Sequence, residues 1–122
     1  PGLSVNDFGD SIRFGASTAA EDETDLSKVS CSMELYENYV KGFLEGCGSQ
    51  LTPEEIQALP LGAKVMTYEC GMRFLTDYLC GDTYFKIHRP HHNLDRARTQ
   101  FKLVEDMEHK WDEMNAIIQK YI

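Results

Sequence analysis

Three groups of side chains have residue types and spacing that could do chemistry. Glu69, Arg73 and Asp77 recur every four residues, which on a helix places two carboxylates and a guanidinium on one face. A guanidinium offers a planar fork of donors suited to sugar hydroxyls or phosphate. Spacing alone favours a plainer role, a solvated charge ladder worth about 0.2–0.5 kcal/mol per pair. His88, His91 and His92 lie close together and carry metal-ligating nitrogens. No cysteine or carboxylate near them completes a tetrahedral set at customary spacing, and Pro90 within the group marks a surface loop. Cys31, Cys47, Cys70 and Cys80 form no CxxC pair. They therefore read as free thiols of a reducing compartment rather than zinc or redox ligands.

A fourth group, Asp7-Phe8-Gly9, spells the triplet in which protein kinases hold magnesium. Three residues match easily by chance. Neither a catalytic HxD loop nor a glycine-rich loop accompanies the triplet in this sequence. The expectation from the residues alone is that Asp7 caps a helix, and no nucleophile–base pair, phosphate-cradling loop or paired-carboxylate site stands out.

The elements that must carry these groups are helical. Asn6 or Asp7 is predicted to cap a short helix reaching Gly15, followed by an exposed acidic loop over 16–25. A second helix follows Ser30 or Ser32 and stops near Gly46 to Gly48. Thr52-Pro53-Glu54-Glu55 is a capping box with proline at the first helical position. From Pro60 a helix runs to Cys80, with Gly81 as its stop. Val65, Tyr68, Met72, Leu75 and Leu79 alternate by three and four along it and predict a buried stripe. Asn93 is predicted to cap one long last helix whose seam runs through Val104, Met107, Trp111, Met114 and Ile118. Thr83 to Ile87 is the one stretch with some strand character. The expected architecture is all-α, about five helices in a single helical domain over 1–122.

The chain has 122 residues and a net charge of −8, with 42% apolar, 26% charged and 11% aromatic residues, the balance of a globular domain. The acidic surface would repel nucleic acid and anionic lipid. The densest basic stretch, Lys86 to Arg98, holds only four Lys or Arg. No apolar run approaches a membrane span, and no signal peptide is visible. A cytoplasmic protein without nucleic-acid or membrane partners is expected.

Longer strings go further. VNDFGDSIRFGAST, LEGCGSQLTPEEIQALPLGAKVMTYECGMRFLTDYLCGDTYFKIHR and HNLDRARTQFKLVEDMEHKWDEM resemble the C-terminal region of the N-acetylhexosamine 1-kinases. These belong to the aminoglycoside-phosphotransferase superfamily. The resemblance covers nearly the whole chain. It implies the helical C-terminal subdomain of a protein-kinase-like fold. The nucleotide lobe, the catalytic aspartate and the magnesium ligand would precede Pro1-Gly2, so ATP and Mg2+ belong to the full-length parent and the fragment alone would be inactive. By the same resemblance Asp10 is structural, accepting hydrogen bonds from the catalytic-loop backbone at the start of its helix. Phe14 would form an apolar wall of the aminosugar pocket, and Arg73 and Tyr84 would hydrogen-bond the N-acetylhexosamine. Glu69 and Asp77 would then orient the Arg73 guanidinium. Some relatives carry a sulfatase name, but the CxPxR or SxPxR motif of sulfatases is absent. The aminoglycoside-resistance branch, whose polycationic substrates call for acidic sites, matches the strings less well. An alternative is a stand-alone, non-catalytic helical module that self-associates through apolar surface left uncovered.

Overall fold

A computed structural model describes residues 2–122. Pro1, half of the Pro-Gly pair, lies outside the described residues. Six α-helices form the molecule among those residues: α1 Gly2–Gly15, α2 Met33–Cys47, α3 Pro53–Gln57, α4 Leu59–Leu79, α5 His92–His109 and α6 Trp111–Lys120. The described residues form no sheet; the one β feature is an isolated bridge between Ser17 and Cys31. The weak strand character at Thr83 to Ile87 is overruled. The N–H groups of Thr83, Tyr84 and Phe85 are taken by a side chain described below, and among the described residues no second strand lies beside the stretch.

Local signals account for several helix starts. The Ser32 hydroxyl accepts the Leu35 N–H at 3.3 Å at the head of α2. Thr52 and Glu55 close the capping box in both directions, at 3.1 and 3.0 Å, at the head of α3. Gly81, at φ +98°, ends the α4 region with a backbone conformation that a Cβ would disfavour.

Helix α4 packs against α1 on one side and α5 on the other. Both contacts depend on missing side chains. A Cβ at Gly9 would stand 2.3 Å from the Gly62 carbonyl oxygen, and one at Gly62 would stand 2.5 Å from Val5 Cγ1. On the α5 side, a Cβ at Gly71 would stand 2.8 Å from the Phe101 ring. Phe8, Ile12, Tyr36, Leu103, Met107 and Met114 are central to the core. The buried Tyr36 hydroxyl donates to the Met114 carbonyl at 3.1 Å, joining α2 to α6.

Several sequence expectations are corrected. Helix α1 begins before Asn6 and Asp7, so neither is a cap, and Asp10 lies well inside the helix rather than at its start. Phe8 and Gly9 of the kinase-like triplet serve packing: Phe8 is core, stacking edge-on near Tyr36, and Gly9 makes the α1–α4 crossing. The last helix is two helices, because Lys110 leaves helical geometry (φ −105°, ψ 16°). Its ammonium instead reaches the Cys31 carbonyl and Asp106, both at 2.8 Å. Asp106 also accepts the Cys31 N–H at 2.6 Å, which ties the segment before α2 to this break. Burial pushes the Cys31 thiol up to about 12, with Lys110 opposing weakly, so this cysteine stays a thiol.

The largest correction concerns α4. Val65, Tyr68, Met72 and Leu79, expected in the core, are exposed, and Leu75 is only half-buried. The buried face carries Gly62, Ala63, Thr67, Gly71 and Phe74. Helix axes approach closely only where side chains are small, so the small face turned inward and the large apolar face turned out.

Candidate functional site

The α4–α5 connection is organised by Asp77. Its Oδ1 accepts the N–H groups of Thr83 and Tyr84 at 3.1 and 2.8 Å. Its Oδ2 accepts the Phe85 N–H at 2.9 Å and Asn93 Nδ2 at 2.8 Å. Asn93 Nδ2 also reaches Asp82 Oδ1 at 3.0 Å, and Asn93 Oδ1 accepts from Arg96 at 2.9 Å. Burial alone would raise the Asp77 carboxyl; the donors from Phe85, Tyr84, Thr83 and Asn93 outweigh it and hold it below the usual aspartate range. Two expectations fall here. Asp77 does not orient Arg73, since its oxygens face the loop. Asn93 is not the cap of α5 but a buried residue inside it, because its amide is drawn into the carboxylate pair.

With the loop held this way, Tyr84 and Phe85 lie beside α4. The Arg73 guanidinium sits 5.7 Å from the Tyr84 ring centre and 5.6 Å from that of Phe85, within cation–π range. Glu69 is exposed and makes no ion pair with Arg73, so the Glu69–Arg73–Asp77 ladder does not form. Arg73, Tyr84 and Phe85 help line an open cavity of about 520 Å³ that also takes in Met72, Thr76 and Cys80. A neighbouring cavity of about 440 Å³ shares Arg73 and Phe85 and adds Phe14. Three residues singled out in the sequence, Phe14, Arg73 and Tyr84, thus border two adjoining cavities on one side of the molecule. Phe14 and Tyr84 are 62% and 74% exposed, so much of each ring is open to solvent at the cavity mouths.

Asp10 stands one helical turn before Phe14. It is exposed, and its Oδ1 receives Arg13 Nε at 3.2 Å. Asp7 is exposed on a regular helix, and among the described residues no three His, Cys, Asp or Glu converge in metal-holding geometry.

The histidines are also placed differently from a plain surface loop. His92 is buried. Its Nδ1 accepts the His88 N–H at 3.1 Å, which leaves Nε2 to donate to Asp22 at 2.8 Å. The hydrogen bond from His92 pulls the Asp22 carboxyl below its ordinary value. Arg89 adds a hydrogen bond to the Asp22 carbonyl at 3.0 Å, and the Thr99 hydroxyl donates to the Glu21 carbonyl. The acidic segment 16–25 is therefore strapped to the start of α5, not free in solvent. His91 hydrogen-bonds the Tyr78 hydroxyl at 2.8 Å.

Sequence reasoning missed Arg13, Lys86 and Arg96, which line the second cavity. Arg13 adjoins Phe14 and Arg96 follows Asn93 by three residues, but nothing in their spacing announces that they meet. No protein-family model matches the chain.

Proposed function

We propose that the chain is the sugar-side helical portion of a cytoplasmic, ATP-dependent kinase acting on the anomeric hydroxyl of an N-acetylhexosamine. An upstream portion would supply the nucleotide site, the magnesium and the aspartate that accepts the hydroxyl proton. The observation that carries this reading is the gathering of Phe14, Arg73 and Tyr84 around adjoining open cavities, although Phe14 and Tyr84 are far apart in sequence. In this role Arg73 donates hydrogen bonds to sugar hydroxyls or to the N-acetyl oxygen. Tyr84 and Phe14 offer ring faces to the apolar side of the hexose, and the Tyr84 hydroxyl adds a donor. Asp77 holds the loop that carries Tyr84. The cations of the second cavity argue against the polycationic substrates of the aminoglycoside-resistance branch.

Arg73→Ala in the full-length parent should raise the KM for N-acetylhexosamine by about tenfold or more while leaving the KM for ATP within twofold, as expected for the loss of a charged hydrogen bond to one substrate. Unchanged sugar kinetics would remove Arg73 from the site.

A second reading has its own observation. Leu61, Val65, Tyr68, Met72 and Leu79 form an exposed apolar stripe along α4, with three- and four-residue steps except for the last. Such stripes pair helices, and two copies packed through α4 would cover it. On this reading the chain is a non-catalytic module that forms a homodimer. Sedimentation of the 122-residue chain should then give twice the monomer mass, reverting to monomer in Tyr68→Glu. A monomer at all concentrations would end this reading.

A further inference from the structure

We infer that the second cavity is an anion subsite, taking the phosphomonoester of a phosphorylated hexosamine. The anion part stands on the cavity itself, and the hexosamine part rests on the function proposed above. In a chain of net charge −8, four cations line this one cavity, Arg13, Arg73, Lys86 and Arg96, against the single carboxylate of Glu21.

The four cations differ in how they are committed. Arg13 is largely buried, at 10% side-chain exposure, and is held by Asp10 at 3.2 Å and Glu21 at 2.5 Å. Arg96 is 16% exposed and donates to the Lys86 carbonyl and to Asn93 Oδ1, with Glu21 4.0 Å away. These two guanidinium groups are fixed in place. Arg73 and Lys86 are exposed and have no carboxylate of the described residues within ion-pair distance. Fixed cations beside uncommitted ones leave a net positive cavity with donors ready for a dianion.

The walls are aromatic. Arg13 lies 4.4 Å from the Phe14 ring centre, Arg96 5.6 Å from Phe74, and Arg73 5.6 Å from Phe85. Rings backing guanidinium groups hold their planes and exclude water from one side, which strengthens each charge. Because Arg73 and Phe85 border both cavities, a hexose lying across that shared edge, between Tyr84 and Phe14, would place a phosphate substituent within the second.

The test is titration of the 122-residue chain, followed by NMR shifts, with three probes: N-acetylglucosamine 6-phosphate, N-acetylglucosamine and inorganic phosphate. The phosphorylated sugar should bind about tenfold or more tighter than the uncharged one, with affinity falling as salt rises. Lys86→Gln removes an exposed side chain with no partner to lose. It should weaken the phosphorylated sugar about tenfold and leave the uncharged sugar unchanged. Inorganic phosphate bound in a Lys86-dependent way, with neither sugar binding, would uphold the anion subsite and refute the hexosamine reading. Equal binding of both sugars would overturn the subsite and leave that reading standing. Indifference of the phosphorylated sugar to salt or to Lys86→Gln would overturn the subsite outright.

Discussion

Gly9→Ala is expected to destabilise the protein by about 3 kcal/mol, the upper range for overpacking a close contact, and to lower the unfolding midpoint by about 10–15 °C. The new Cβ would stand 2.3 Å from the Gly62 carbonyl oxygen and 2.6 Å from its carbonyl carbon. Both are backbone atoms, so no side chain can rotate away. Relief requires α1 and α4 to separate, which loosens Phe8 and Ile12 in the core between them. Gly46→Ala is the matching control. A Cβ there meets nothing within 4 Å, so the same change in a helix should stabilise by about 0.5–1 kcal/mol through propensity alone. Thermal denaturation of the two variants side by side checks the pair. Equal midpoints would mean that α1 and α4 do not cross at Gly9.

The second large effect should come from Asp77→Asn. One oxygen cannot replace two: Oδ1 serves Thr83 and Tyr84, while Oδ2 serves Phe85 and Asn93. The new amide would direct its own N–H groups at two of these donors. A midpoint lower by about 10 °C is expected, together with loss of amide-exchange protection over 83–85. The loop that carries Tyr84 should then lose its position beside Arg73.

This substitution has a pH signature. Donors to Asp77 outweigh the opposing effect of burial and lower its pKa below the unfolded value of about 3.9. For such a group the stabilisation is complete above the unfolded pKa and is lost as pH falls through the folded one. The native protein should therefore hold a level midpoint above about pH 5 and lose stability below about pH 4. Asp77→Asn should make that decline shallower, leaving the part due to the other carboxyls lowered in the same direction, Asp22, Asp25, Glu37, Glu55 and Asp106. A decline equally steep in both proteins would show that Asp77 titrates alike in folded and unfolded chains.

Much of the fold was legible locally. The capping box at Thr52 and the stop at Gly81 depend on a few adjacent residues, and they stand as the sequence predicts. Of the predicted seam, Val104, Met107, Met114 and Ile118 are buried against the rest of the bundle, while Trp111, beside the break at Lys110, is only half-buried. The interruption at Lys110 was not legible. It depends on Cys31 and Asp106, and Cys31 is remote in sequence.

The candidate site divides the same way. Residue type marked Arg73, and resemblance marked Phe14 and Tyr84. What those residues touch was decided in three dimensions. Asp77 reads in sequence as the end of a charge ladder, yet four donors from beyond the Gly81 turn claim it. Arg13, Lys86 and Arg96 carry no common signal, and only the folding of the α4–α5 connection beside α1 gathers them.

The sequence by itself determined that this chain is helical and where several of its helices start and stop. Tertiary structure decided which face of α4 is buried. Apolar residues at helical spacing say that a face can be buried, not that it is. Two glycine contacts and a row of small residues allow α1 and α5 to approach more closely on the other side, and that packing outweighed the stripe.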